Sequence, residues 1–223
     1  PGGDYSGANT SLLSTYYPST YAGLAGTSQS TPLVSGVAAL VKARFPAYNP
    51  LQVGEQVRVS CDDITSLNPS FANKLGKGRV NAYRALTVSS PSLRMTSISV
   101  RDSAGGNNNG VPEPNETVSI VAGFTNYLNP TSPGATVTLS ASDTNIQILA
   151  ANYAAVSVAT MDTVTNESNP FVFHVGANVP RSYPVNFMLT MSDGSYNDVQ
   201  FFSVILNPTY ATHNVNKVLT TLT

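Results

Sequence analysis

The sequence predicts two regions, an α/β region followed by an all-β antiparallel sandwich. One observation is an apolar pattern over about sixteen positions from Ser30, which is the length of a helix rather than of a strand. The other is period-two alternation from Leu93 onward, interrupted at short intervals by Gly, Pro, Asn and Asp. We therefore expect the α/β region at residues 1–88, the sandwich at 92–207 and a linker or tail at 208–223.

Composition limits the classes of partner. The chain has 223 residues, of which 10% are charged, and its formal net charge is −1. This balance does not favour nucleic acid or an anionic membrane, so we expect neither partner. No window is apolar enough for a membrane span, and the single cysteine, Cys61, excludes a disulfide within the chain. A surface built from Ser, Thr, Asn and Gln favours an exported protein.

The first residues, PGGDYSG, contain neither the basic nor the apolar segment of a signal peptide. We expect Pro1 to be an internal residue of a longer precursor.

The segment STPLVSGVAALVKARF, residues 30–45, predicts one helix. Pro32 falls in its first turn, where a missing N–H costs little, and Pro46 ends it. Apolar residues cover nearly the whole circumference, which is typical of a buried helix. We therefore expect this helix to lie inside its domain.

Two further helices have start signals. Asn49-Pro50 is an N-cap followed by a proline in the first helical position, and Asn81 precedes a short helix that ends near Leu86. The loop between these helices contains Gly76 and Gly78, which predict a close approach of the backbone.

From Leu93 onward the chain alternates apolar and polar residues in seven stretches, as the strands of an antiparallel sandwich do. These stretches are LRMTSISVR, TVSIVAGFTNY, ATVTLSAS, IQIL, NPFVFHVG, YPVNFMLTMSD and VQFFSVIL.

The stretch GTSQSTPLVSG, residues 26–36, places Ser28 beside the start of the first helix. One interpretation is a helix cap, because Ser and Thr are preferred at N-caps. The other is a nucleophile, because free N–H groups and the dipole at a helix N-terminus stabilise a developing oxyanion. A nucleophile also needs a base. Gly-Thr-Ser alone leaves both interpretations open.

The longer stretch GTSQSTPLVSGVAALV resembles the active-serine motif of subtilisin-like serine proteases, and two flanking segments agree with it in order. PGGD resembles the Pro-Gly segment that precedes the serine in that family. GKGRVNAYRAL resembles the Gly-x-Gly-x-[Val/Ile]-Asn-Ala segment that closes the catalytic domain. The resemblance implies that residues 1–88 are the C-terminal part of a subtilisin-like domain.

The resemblance also implies roles for the residues of the Gly-Thr-Ser motif. Ser28 would be the nucleophile that forms the acyl-enzyme, and its backbone N–H would supply one arm of the oxyanion hole. Thr27 would support the oxyanion. Gln29 stands where the family often has Met, and Leu33 where it often has His, and neither position is catalytic. No cofactor would be required.

The other members of the catalytic triad are missing from the chain. In subtilisin the triad order is Asp, His, Ser, so the base must precede Ser28, and no histidine does. His174, on a face of the predicted sheet, and His213 lie far downstream, and the spacing of Asp4 does not fit the triad Asp. We therefore expect the fragment to be inactive alone. Its expected partners are a protein or peptide substrate and the missing N-terminal part of the same protease.

Likeness to secreted bacterial proteases with appended β-domains predicts an extracellular or cell-surface location. Two other functions stay open for the sandwich, since its fold alone identifies no ligand. It could be a binding module, or a spacer that stabilises the catalytic domain, and the protease remnant would then be passive.

An oxygen-rich turn precedes the second strand of the predicted sandwich. Ca²⁺ binds such oxygen ligands, but the EF-hand spacing is absent, and a solvated turn of Asn and Gly is the alternative. The stretch also resembles the entry to small β-domains appended to secreted bacterial proteases. The candidate ligands of a structural Ca²⁺ are Asp102, Asn107, Asn109, Glu113 and Glu116.

Other polar features are interpreted as structural. Asp62 and Asp63 form a pair in a loop, and Cys61 is expected to be a small buried side chain. Asn115 and Asn166 begin N-x-[ST] sequons, which matter only in a glycosylating pathway.

Overall fold

The computed structural model of the chain describes residues 11–103 and 105–209. Predictions that concern Pro1, Asp4, His213 or the tail beyond Thr209 lie outside the described residues.

The N-terminal region consists of a hairpin and a group of helices. Strands β1 and β2 pair antiparallel and lead directly into the first helix. That helix begins three residues earlier than the apolar pattern predicts, at Thr27. The elements of this region in the described residues are β1 (Leu12–Tyr16), β2 (Thr20–Leu24), α1 (Thr27–Arg44), α2 (Pro50–Val59), α3 (Ala82–Thr87) and single 3₁₀ turns at Thr65–Leu67 and Pro69–Phe71.

The predicted helix starts at Asn49 and Asn81 are confirmed. The side chain of Asn49 accepts a hydrogen bond from the N–H of Gln52 at 3.0 Å, and the Gln52 side chain accepts one from the Asn49 N–H at 3.1 Å. This is a complete capping box. The Asn81 side chain caps α3 by accepting from the N–H of Arg84 at 3.0 Å. Local side-chain chemistry therefore sets where both helices begin.

The close approach predicted at Gly76 and Gly78 is found at Gly78 but not at Gly76, where nothing lies within 4 Å of the position that a Cβ would take. The backbone at Gly78 is constrained in two ways. Its φ is +110°, and a Cβ at this position would lie 2.0 Å from the carbonyl oxygen of Asp62. The neighbouring Arg79 exchanges two backbone hydrogen bonds with Asp62, at 2.8 and 2.9 Å. Only glycine fits here, because any side chain would push the two segments apart.

The C-terminal region is an antiparallel β-sandwich, as predicted. The strands of the described sandwich are β3 (Leu93–Arg101), β4 (Thr117–Asn126), β5 (Thr136–Ser140), β6 (Ile146–Ala150), β7 (Asn152–Ala154), β8 (Thr163–Thr165), β9 (Phe171–Val175), β10 (Tyr183–Asp193) and β11 (Tyr196–Leu206). One sheet has the strand order β11-β10-β5-β7, and the other has the order β3-β4-β9-β6 with β8 also paired to β4. All seven predicted strands are present; the sequence missed β7 and β8, which have three residues each.

The sandwich core is built by the inward faces of the two sheets. In β9 and β10 buried and less buried residues alternate strictly along most of each strand, so one face of each strand is apolar. Phe173 of one sheet contacts Phe187 of the other, with ring centroids 5.2 Å apart. Burial of such large rings supplies much of the driving force for packing the sheets together.

The side chain of Asn166 bonds to the backbone of β4 at the point where the neighbouring strand on one edge changes from β9 to β8. Its side chain accepts from the N–H of Ala122 at 2.7 Å and donates to the carbonyl of Ile120 at 3.1 Å. The residue is fully buried. The sequon that begins at Asn166 is therefore not accessible to a glycosylating enzyme in the folded chain.

The two regions pack against each other through helix α2 and the residues before it. Val59, the last residue of α2, is part of the sandwich core. Tyr48 contacts both that core and the small helical core around Val41, Val57 and Ala85. The helical region and the sandwich therefore share apolar packing.

We expect the substitution Asn166→Ala to lower the free energy of unfolding by about 2–4 kcal/mol, because it leaves a buried N–H and a buried carbonyl of β4 without partners. Chemical denaturation of the 223-residue chain measures this. Asn169→Ala is the matched control, since Asn169 is exposed and its loss should change stability by less than about 0.5 kcal/mol. Equal losses for both variants would contradict the ladder-replacing role.

Candidate active site

Ser28 is the second residue of α1, and its side chain is exposed. The residue that caps the helix is Gly26, with φ 126° and ψ 173°, and no side chain makes a capping hydrogen bond. The positive φ favours glycine at this position. The interpretation of Ser28 as a helix cap is therefore wrong, because the chain turns into the helix two residues earlier.

The hydroxyl of Ser28 differs from those that follow it in α1. Ser30, Thr31 and Ser35 donate to the backbone carbonyl four residues before them, at 3.4, 3.0 and 3.1 Å respectively. Within the described residues no such bond is made by Ser28. Its hydroxyl is therefore not bonded to the backbone of the preceding turn in the described residues, and the residue is exposed.

The helix N-terminus provides hydrogen-bond donors beside Ser28. The N–H groups of Gln29 and Ser30 both bond to the carbonyl of Gly26, at 3.2 and 3.3 Å. The N–H groups of Thr27 and Ser28 precede them in the first turn, where no intrahelical acceptor exists. An anion placed there would meet these donors and the positive end of the helix dipole. The catalytic roles of Ser28 and Thr27 stay predictions.

Helix α1 is not buried, so that prediction from its all-round apolar pattern is wrong for this chain. Val41 is fully buried against α2 and α3, and Val37 packs beside it. On an adjoining face, about 80–100° around the helix from Val41, Leu33 is 52% exposed and Leu40 is 51% exposed. In the described part of the chain, the packing on α1 comes from one side. The apolar face that carries Leu33 and Leu40 is therefore largely uncovered by the described residues.

The described residues place no histidine near Ser28. His174 lies on β9 of the sandwich, half-buried, with its Nδ1 3.5 Å from the hydroxyl of Thr117. Helix α1 rises about 1.5 Å per residue, so Ser28 is about 24 Å from Arg44 at the other end. That other end leads to Tyr48, where the helical region meets the sandwich. His174 is thus not brought to the predicted nucleophile.

A cleft of about 770 Å³ lies at the junction of the two regions rather than at Ser28. Its walls include Asp62, Lys77, Arg84 and Tyr196. Substrate sites are usually concave and hold several converging polar groups. Because Ser28 lies on open surface, the described residues do not by themselves form a substrate cleft around it.

The contacts of Asp62 and the burial of Cys61 indicate structural roles for both residues. Asp62 is the acceptor for Arg79 at 3.0 Å and for Asn81 at 2.9 Å, and the hydrogen bond from Arg79, followed by that from Asn81, lowers the pKa of this carboxyl. Cys61 is half-buried, and burial raises the pKa of its thiol. The loop aspartate therefore ties the end of α2 to the start of α3, a role that the sequence did not reveal.

The oxygen-rich turn before β4 is organised by its own backbone. Asp102 accepts from the N–H groups of Asn109 and Gly110, at 3.0 and 3.1 Å. Glu116 accepts from the N–H groups of Asn107 and Glu113, at 3.0 and 2.9 Å. No group of three or more metal-binding side chains converges in the described residues. A structural Ca²⁺ here stays a prediction of the sequence.

Residues 1–78 match the family model described as the subtilase family. The chain is 39% identical to a thermostable alkaline protease of Halalkalibacterium halodurans over 82 residues. These residues are 37% of this chain and 21% of that protein. It is 43% identical to subtilisin Savinase of Lederbergia lenta over 74 residues, which are 33% of this chain and 26% of that protein. It is 39% identical to thermitase of Thermoactinomyces vulgaris over 75 residues, which are 34% of this chain and 25% of that protein. The resemblance to subtilases is therefore confirmed for the N-terminal region. The matched segment spans only about a quarter of the length of these relatives.

Among solved structures, the chain is similar to the CARDB domain of a Pyrococcus furiosus protein. The NMR structure of that domain is 15% identical and covers 53% of this chain and 97% of that chain, with a TM-score of 0.32. A crystal structure of the domain in complex with di-metal ions is 16% identical in sequence and has the same TM-score of 0.32. The match covers 54% of this chain and 96% of that chain. This similarity assigns neither a ligand nor a function to the sandwich.

The two faces of α1 predict different effects for neighbouring substitutions. Val41→Ala should lower the free energy of unfolding by about 2 kcal/mol, because it opens a cavity in the helical core. Leu40→Ala should change it by no more than about 0.5 kcal/mol, because Leu40 lies on the uncovered face. Thermal or chemical unfolding of both variants distinguishes the faces. A loss at Leu40 as large as that at Val41 would show that the outer face is covered in this chain.

Proposed function

We propose that this chain is the C-terminal part of a secreted subtilisin-like serine endopeptidase, in which Ser28 attacks the carbonyl carbon of a peptide bond. The observation that carries the proposal is Ser28 itself: a Gly-Thr-Ser motif within a segment matched by the subtilase family model, exposed at the N-terminus of an 18-residue helix. The names of the relatives describe proteases. The geometry of α1 agrees with this chemistry.

The chemistry proceeds through an acyl-enzyme. The Ser28 oxygen forms a bond to the substrate carbonyl carbon while its proton passes to a base, and the carbonyl oxygen becomes an oxyanion. The backbone N–H of Ser28 donates to that oxyanion, and the Thr27 hydroxyl supports it. Collapse releases the amine half of the substrate, which takes up the proton, and water then hydrolyses the ester. No step needs a cofactor.

The base and its aspartate are supplied by the part of the protease that precedes this chain in the subtilisin order. The uncovered face of α1 is where that part docks, because Leu33 and Leu40, two turns apart on the same face, are apolar and 52% and 51% exposed. A buried helix of the intact domain would show the all-round apolar pattern that α1 has. Alone, the chain is inactive, since loss of the triad base removes several orders of magnitude in rate.

The protease acts on proteins or peptides outside the cell or at the cell surface of a bacterium. Support comes from the bacterial relatives, whose names are those of alkaline proteases and subtilisins. In the described residues, no helix is both long and apolar enough to traverse a bilayer. The sparse charge and the neutral balance of the sequence agree with this location.

A fluorophosphonate probe tests the proposal directly. On the isolated 223-residue chain we expect no labelling above that of the Ser28→Ala variant, because the serine has no base. When the upstream part of the protease is co-expressed as a second polypeptide, labelling should appear on Ser28 and casein should be cleaved. Intact-mass and gel analysis then show whether the two polypeptides co-purify.

The matched control for this experiment is Ser30→Ala, since Ser30 lies in the same turn but donates to the carbonyl of Gly26. Its labelling should equal that of the wild type. Efficient labelling of Ser28 in the isolated chain would contradict the dependence on an upstream base. Labelling that survives Ser28→Ala in the reconstituted pair would contradict the assignment of the nucleophile.

A further inference from the structure

We propose that the β-sandwich is a fixed brace for helix α2, joined to it by a charge cluster around the buried carboxylate of Asp198. The linker of residues 88–92 and the helical region then do not open independently of the sandwich. This role goes beyond peptide hydrolysis and does not depend on whether Ser28 reacts. It distinguishes a docked stabilising module from a loosely tethered binding module.

The brace is centred on the carboxylate of Asp198, at the start of β11. Its side chain is 1% exposed and lies 2.6 Å from Nη1 of Arg58. Arg94 of β3 lies 3.7 Å away and Lys77 lies 4.0 Å away, and the hydroxyl of Tyr196 donates to Asp198 at 3.1 Å. The cluster therefore draws α2, the loop before α3 and β3 to one buried point.

Arg58 bridges this cluster to a second acid. Its Nη2 lies 2.6 Å from Oε2 of Glu55, and Ser92 donates to the same carboxylate oxygen at 2.5 Å. Burial by itself would lower the pKa of Arg58, but the hydrogen bond to Glu55 and the attraction of Asp198 outweigh it, so the pKa lies above its ordinary value. Arg58 is thus held charged between one anion of its own helix and one of the sandwich.

The linker of residues 88–92 is held on both sides. Gln56 of α2, itself buried, donates to the carbonyl of Val88 at 2.9 Å. From the sandwich, the side chain of Asn126 accepts from the N–H of Ser92 at 2.9 Å. The segment that connects the two regions is therefore bonded to both of them.

The brace also reaches the helix that carries Ser28. Val57 of α2 packs against Val41 of α1 in the helical core, so a fixed α2 gives α1 a fixed surface. Among the residues that the structure describes, the packing on α1 leaves Leu33 and Leu40 exposed. The sandwich thus supports the serine helix from the end opposite to Ser28.

The physical basis of the brace is the burial of the Asp198 carboxylate, whose side chain is 1% exposed. Removing Arg58 takes away the nearest cation and leaves only Arg94 and Lys77, at 3.7 and 4.0 Å, which is destabilising for a buried charge. An exposed pair such as Arg101–Glu167, whose side chains are 43% and 57% exposed, is solvated in either state and contributes little. The chain therefore contains its own matched control.

Limited proteolysis of the full 223-residue chain by thermolysin tests the brace, with the fragments identified by mass spectrometry. Arg58→Met keeps the aliphatic length of the side chain but removes its charge. We expect cleavage between residues 86 and 93 to be at least about tenfold faster than in the wild type, because opening of the linker becomes easier. Arg101→Met should leave this rate unchanged.

A rate for Arg58→Met equal to that for Arg101→Met would overturn the proposal. Asp198→Asn removes the charge that the sandwich contributes to the same cluster, and it should also accelerate cleavage of the linker. Both substitutions remove the same Arg58–Asp198 interaction. In the double variant, the increase in the cleavage rate should therefore be smaller than the product of the two single increases. An increase equal to that product would contradict coupling across the junction. None of these cleavage rates depends on Ser28. A result that contradicts the brace is therefore distinct from a result that contradicts the proposed peptide hydrolysis.

Discussion

The buried carboxylate of Asp198 is the constraint around which the two regions are arranged. A charge at 1% exposure is tolerated only with close partners, since the desolvation penalty is otherwise uncompensated. Its nearest partner, Arg58, comes from α2, and Arg94 comes from the first strand of the sandwich. Helix and sheets must therefore meet at one geometry. Val59 and Tyr48 then continue the contact as apolar packing.

This joint explains the asymmetry of α1. Its inner face rests on α2 and α3, which are themselves tied to the sandwich, whereas its outer face is apolar and uncovered. Ser28 lies at the end away from the joint, with helix N–H groups beside it. The joint therefore supports the C-terminal half of α1, whereas Ser28, at the other end of the helix, is exposed.

Much of this architecture could be predicted from local signals. Asn49 and Asn81 cap their helices as the sequence predicts, and seven strands follow from alternation, because capping and pleating depend on neighbouring residues. Strands β7 and β8 were missed, since three residues are too few to alternate. The exposure of α1 was also missed, because an apolar circumference shows that a helix needs cover but not whether the same chain supplies it. Arg58 and Asp198 are single charges in a helix and a strand, and only tertiary docking pairs them.

The most direct test of the joint is native-state hydrogen exchange measured against denaturant, comparing the amide of Val57 in α2 with that of Val204 in β11. If the two regions form one docked unit, both amides exchange through one opening, with the same free energy and the same dependence on denaturant. If Val57 exchanges through a lower-energy opening that leaves Val204 protected, the helical region unfolds by itself. The cluster around Asp198 would then be a contact without a stabilising role.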